Sequence, residues 1–196
     1  MHKRMSPHGD FDHMGEAINL VENFKVEKVI FNCGKYNELE QELIKVLDKK
    51  KIPYYSCIKD LNINDNKLYF LQTKEYDNEN DNSNVIYTEI DGYKFMFMGD
   101  AGIDKEKDIL KKYNISNVDV LKVGHHGSKT SSSEGFINVV NPRYSIISVG
   151  KNNRYGHPNK EILNVLDNSK IYRTDQDGSI MFKIKNNKLK IKTCCP

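Results

Sequence analysis

Near the start of the chain, His8-Gly9-Asp10-Phe11-Asp12-His13 packs four side chains able to bind a metal into six residues. Four such groups cannot all face one ion from a regular helix or strand. A tight loop can point His8 and Asp10 one way and Asp12 and His13 another, which suits two divalent ions about 3.5–4 Å apart. Gly9 and Gly15 give that loop the backbone freedom it needs. The chemistry expected of such a pair is hydrolysis, because a divalent cation lowers the pKa of bound water toward about 7 and polarises the oxygen of a phosphoryl or carbonyl group.

The remaining candidates are placed by the elements that precede them. Of the 6 histidines, five fall in the loops holding His8 and His13, His125 and His126, and His157. Asp100 follows the apolar run FMFMG, His125 and His126 follow VLKVG, His157 lies beyond SIISV, and Asp175 follows IYRT. Each therefore sits at the carboxyl end of a predicted strand, where layered α/β proteins gather ligand-binding groups. Neighbouring side chains of an extended segment point to opposite faces, so one of His125 and His126 is expected as a ligand, and the pattern does not choose between them. His157 reads equally as a ligand, a substrate contact or a helix cap. Asp100 taken alone would also serve as a helix cap.

The positioning elements alternate along the chain. Ala17, Ile18, Val21 and Phe24 recur at helical spacing, as do Leu39, Leu43, Val46 and Leu47 within a helix over 37–50. Further helices are expected over 104–113, 134–140 and 159–167. Strands are expected over 28–32, 53–57, 68–72, 118–123, 144–149 and 170–173. Asp91-Gly92 joins strands 85–90 and 93–98 as a hairpin, and Asn186-Asn187 joins 179–184 to 188–192. Residues 73–84 form the most loop-like stretch, polar and acidic. Alternating strands and helices imply a layered α/β domain, taken as one unit over residues 1–196.

The first motif resembles the H-x-H-x-D-H signature of the metallo-β-lactamase superfamily, with Asp10 where the second histidine usually stands. Met98-Gly99-Asp100 resembles that superfamily's later G-D motif, whose aspartate bridges both metals. LKVGHHGSKTSS (121–132), RYGHPN (154–159) and YRTDQDGSI (172–180) together resemble the soluble hydrolase domain of ComEC-type DNA-uptake proteins. The resemblance spans essentially the whole chain and implies a four-layer αββα sandwich. It departs from the family in two ways. β-Hairpins usually precede the metal motif, whereas seven residues precede His8 and Met1–Pro7 reads as strand-poor. The expectation is a fold without its first N-terminal strands, whose open sheet edge a second copy can cover in a homodimer. The histidine that often completes the first metal site also has no counterpart between His13 and Asp100, where the chain offers Asp81, Asn82, Ser83 and Asn84.

On this reading His8, Asp10, Asp12, His13, Asp100, His125, His126 and His157 are the metal candidates. Asp10, Asp12, Asp100 and a bridging hydroxide balance the charge of two divalent ions, and the carboxylate–imidazole mix fits Zn²⁺ or Mn²⁺. Asp12 orients the metal-bound hydroxide. The histidine of the 125–126 pair that is not a ligand, with His126 a catalytic candidate as well as a metal one, holds or protonates a phosphate oxygen with Ser128 and Lys129. Asp175 fixes a histidine tautomer. The implied function is a metal-dependent phosphodiesterase or nuclease acting on DNA or another phosphodiester. The alternatives are a lactone or thioester hydrolase using the same centre, and a degenerate nucleic-acid-binding domain.

Composition adds limits. A net charge of +3 is too small to argue for nucleic acid by itself. Lys105, Lys107, Lys111 and Lys112 are expected on a solvated helix face, and the lysines of 183–192 on an exposed hairpin. No apolar run approaches the roughly 18 residues of a membrane span, and residues 1–20 do not resemble a signal peptide. The chain is expected to be soluble, cytoplasmic if free-standing or part of a membrane-associated uptake system by resemblance. The 4 cysteines form no C-x-x-C pattern, so Cys33, Cys57, Cys194 and Cys195 are expected as free thiols.

Overall fold

Two sheets stack face to face, each covered on its outer side by helices. The structure, a computed structural model, describes the backbone of residues 2–5 and 11–195 and the side chains of 13–195. His8 and Asp10 lie outside the described residues, and Asp12 is described by its backbone alone.

The first sheet is parallel, in the order β1 (His2–Met5), β2 (Val26–Phe31), β3 (Tyr54–Ser56). Its helices are α1 (Phe11–Met14), α2 (Ala17–Asn23) and α3 (Glu38–Lys50). Residues 1–7, read from sequence as strand-poor, do supply a strand: Arg4 pairs with Val29 and Met5 with Ile30. Backbone pairing to the β2 edge outweighs the charged composition, since strand formation depends more on partners than on intrinsic preference. Val29 and Phe31 pack with Val21, Leu43 and Leu47 of the helices, while Ile30 turns the other way onto Phe70 and Ile86 of the second sheet. That alternation lets one short strand serve two layers. α3 begins in a capping box, with Asn37 Oδ1 accepting the Glu40 N–H and Glu40 Oε2 accepting the Asn37 N–H.

The second sheet has seven strands in the order β10-β9-β8-β7-β6-β5-β4. β4 (Asp60–Ile63), β5 (Asn66–Phe70), β6 (Ile86–Ile90) and β7 (Tyr93–Phe97) run antiparallel. β8 (Val120–Lys122), β9 (Tyr144–Ile147) and β10 (Lys170–Arg173) continue parallel to β7. The sequence reading missed β4, whose Asp60-Leu61-Asn62-Ile63 does alternate polar and apolar side chains but over 4 residues alone. Met96, Leu121 and Ile147 face α4 (Ile103–Lys112), α5 (Glu134–Val140) and α6 (Lys160–Val165) through Ile109, Phe136 and Ile162. Helix, sheet, sheet and helix thus form the expected four-layer αββα arrangement. After a helical turn α7 (Thr174–Asp177), the hairpin β11 (Ser179–Lys185) and β12 (Lys188–Cys194) sets Phe182 against Phe95 and Tyr144, 6.3 and 6.4 Å between ring centroids.

Three further expectations are corrected. Cys33 and Cys57 form a disulfide instead of remaining thiols, because adjacent parallel strands β2 and β3 end side by side, 4.7 Å apart at Cα. Lys105 is not solvated but 1% exposed, its ammonium 5.4 Å from the Tyr76 ring centroid, since the 73–84 segment folds over α4. Phe24 is 56% exposed because α2 ends one residue before it. Among the described residues no helix is long and apolar enough to cross a membrane.

Candidate metal centre

The carboxyl ends of β7, β8 and β9 bring three loops together above the sheet. After β7 the chain turns at Gly99, whose φ of 59° is a left-handed conformation. Asp100, 4% exposed, donates its N–H to Ser83 Oγ at 3.1 Å. Two residues on, Gly102 N–H donates to Asp81 Oδ1 at 2.7 Å. A Cβ at Gly102 would lie 2.8 Å from that oxygen and 3.0 Å from the Thr130 carbonyl, so only glycine allows this approach. The 81–84 segment, where the sequence offered no third histidine, is therefore a buried support for Asp100.

The His125–His126 pair is not extended, as the alternation argument assumed. Both residues are left-handed, with φ of 44° and 54°, in a short 3₁₀ turn over Gly124–Gly127. His125 N–H donates to the Gly99 carbonyl at 3.0 Å, tying this turn to the Asp100 loop. Both rings consequently stay at the same end of the sheet, 6.4 Å apart. His126 Nδ1 donates to the Ser148 carbonyl at 2.6 Å, which leaves Nε2 as the lone-pair nitrogen.

His13, from α1, Asp100 and His126 each place one ligand atom within 4.8 Å of the others'. His13 Nε2 lies 3.3 Å from Asp100 Oδ2, and His125 Nε2 lies 3.9 Å from the same oxygen. His125 Nδ1 contacts Thr130 Oγ1 at 3.1 Å, and that hydroxyl is 3.1 Å from Ser128 Oγ. The His157 ring stands 6.0 Å from that of His125. Asn159 Nδ2 donates to His157 Nδ1 at 3.1 Å, so the proton of the neutral ring sits on Nε2. Burial, then the neighbouring His125 and His126, holds the His157 pKa below its ordinary value. Asn159, not His157, occupies the N-cap position of α6, and its side chain makes no capping hydrogen bond.

Other sequence candidates are engaged elsewhere. Lys129 pairs with Glu161 at 3.1 Å on the surface. Asp175 gives both carboxylate oxygens to Arg173, at 3.0 and 2.6 Å. The sequence reading named Asp81 and Ser83 without a role and did not find Ser148 or Asn159, since no spacing announces these contacts. Burial lowers the pKa of Lys122 while Asp100 opposes the shift, and the lysine ammonium donates to the Val123 carbonyl at 3.1 Å.

A carboxylate and two imidazoles, one with its tautomer set by a carbonyl, make a donor set suited to a divalent ion of the Zn²⁺ or Mn²⁺ type. Residues 8–151 match the family model of the metallo-beta-lactamase superfamily. The chain belongs to this superfamily. It is 34% identical over 186 residues to ComE operon protein 3 of Bacillus subtilis, covering 91% of the chain and 24% of that protein. It is 37% identical over 119 residues to competence protein ComA of Neisseria gonorrhoeae, covering 58% of the chain and 17% of that protein. The chain thus spans a quarter or less of these relatives' length. A solved mutant of the CmlA beta-hydroxylase shares the fold at a TM-score of 0.57 and 10% identity, covering 87% of this chain and 42% of that one.

Proposed function

We propose that this domain is a metal-dependent phosphodiesterase cleaving DNA or a related phosphodiester at a two-metal centre. The convergence of His13, Asp100 and His126 carries the reading. The competence relatives favour a nucleic-acid substrate over a small carbonyl compound.

His13, Asp100 and His126 would hold the ions together with His8, Asp10 and Asp12, with His125 at the edge of the cluster. Bound Zn²⁺ or Mn²⁺ supplies Lewis acidity and lowers the pKa of water enough to give a nucleophile at neutral pH. The chain's own residues set the geometry. Ser83 fixes the Asp100 backbone, Ser148 fixes the His126 tautomer, and the Thr130 hydroxyl holds His125. Asp12 would orient the water that the metals activate, and His157, with its proton on Nε2, would donate to a phosphate oxygen. Lys129 and Asp175, held by Glu161 and Arg173, are given no chemical step.

The test is hydrolysis of bis(p-nitrophenyl) phosphate and of a labelled single-stranded oligonucleotide by protein loaded with Mn²⁺ or Zn²⁺. Turnover of both is expected, and turnover of neither overturns the proposal. Lactone or thioester hydrolysis without phosphodiester cleavage would put carbonyl chemistry in its place.

A further inference from the structure

We propose that Tyr155 is a stacking platform for one nucleobase of a single-stranded nucleic acid whose phosphodiester lies at the metal cluster; the proposal rests on the phosphodiesterase reading. Tyr155 is 67% exposed, yet its ring packs against a histidine of the site. It stacks on His157 at 5.9 Å with 22° between planes, and His157 in turn lies 6.0 Å from His125, whose Nε2 is 3.9 Å from Asp100 Oδ2. A path of two ring contacts therefore runs from the cluster to an aromatic ring in solvent.

The loop that carries Tyr155 is fixed to the histidine turn. Asn153 accepts the His157 N–H at 2.9 Å and donates to its carbonyl at 2.7 Å. Asn159 N–H donates to the Gly127 carbonyl at 3.0 Å. Pro158 fills the space where a Gly127 Cβ would sit, 2.7 Å away. The ring is thus held at a set distance from the reacting centre, which is what a subsite requires.

Its surroundings match a nucleotide strand. Arg154 donates from Nη2 to the Tyr155 hydroxyl at 2.7 Å, with its guanidinium 4.9 Å from the ring centroid. Lys151, Arg154 and Lys160 are exposed, and no acidic residue occurs between 150 and 160. Phosphates can follow these cations while a base covers the ring. Bases of a duplex are already stacked on each other, so the partner is a single strand.

The test is binding in EDTA, which separates it from catalysis, using a short single strand of thymine and 2-aminopurine and the same backbone carrying abasic sites. Wild type is expected to quench 2-aminopurine fluorescence. Tyr155→Ala is expected to abolish the quench and weaken binding about tenfold, while Tyr155→Phe retains both. Wild type and Tyr155→Ala should bind the abasic strand equally. Equal binding and quenching of the base-bearing strand by both proteins, an equal loss on the abasic strand, or no binding by wild type overturns the proposal. If stacking is found while metal-loaded protein cleaves neither phosphodiester, the catalytic reading fails and the platform stands.

Discussion

Ser83 Oγ accepts the Asp100 N–H at 3.1 Å, joining residues 17 positions apart at a point where both are buried. Ser83→Ala would leave that N–H without its acceptor, at a cost of about 1–3 kcal/mol. We expect lower stability in urea unfolding and weaker Mn²⁺ binding in calorimetric titration. Unchanged metal affinity would show that Ser83 supports the fold alone and not the position of Asp100.

Metal binding should itself stabilise the protein. Saturation at about a hundred times Kd adds about 2.7 kcal/mol by mass action, so Tm should rise on adding Zn²⁺ or Mn²⁺ and fall back with EDTA. Asp100→Asn keeps the shape of the side chain but loses the charge. It should remove the thermal shift and reduce phosphodiester turnover at least about a hundredfold. A full thermal shift in that variant would place the ions elsewhere.

Lys105 makes stability depend on pH. It is 1% exposed, and burial lowers its pKa to about 8, against the pull of Asp81 and Asp108 and with the help of Lys112. Its folded pKa lies below the unfolded value of 10.5, so the unfolded chain binds the proton more tightly in this window. The contribution of Lys105 to stability therefore improves as pH rises from 8 to 10.5, by about 3 kcal/mol in total. Lys105→Met should show its greatest advantage over wild type at pH 7 and lose it toward pH 10. A stability difference that is flat across urea titrations in this range would contradict the assignment.

The Cys33–Cys57 disulfide closes a segment of 24 residues between the ends of β2 and β3. By loop-closure entropy, Cys57→Ser should lower stability by about 3 kcal/mol. Mass spectrometry after alkylation without reductant should label exposed Cys194 and Cys195 but not the bridged pair. Labelling of all four would refute the bond.

The two hairpin turns, the strands that end in candidate ligands and the main helices were legible in the sequence because each has a local cause. Asp91-Gly92 and Asn186-Asn187 adopt the positive φ that short hairpins require, and the apolar period of α3 follows from its own spacing. Contacts between distant segments left no such trace. His13 and Asp100 are 87 residues apart, and His126 finds Ser148 across 22. The first meeting depends on α1 being carried to the end of β7 and the second on parallel strands β8 and β9 ending at one level, which no local pattern encodes.

The sequence by itself determined which side chains could bind metal and that most of them follow strands, since residue type and hydrophobic period are properties of the chain. Only the tertiary structure decided that His125 and His126 turn left-handed and both stay at the site. It also buried the polar 81–84 segment beneath Asp100 and joined Cys33 to Cys57. These outcomes are set by packing and by hydrogen bonds between segments remote in sequence. A buried backbone N–H must find an acceptor wherever the fold places one.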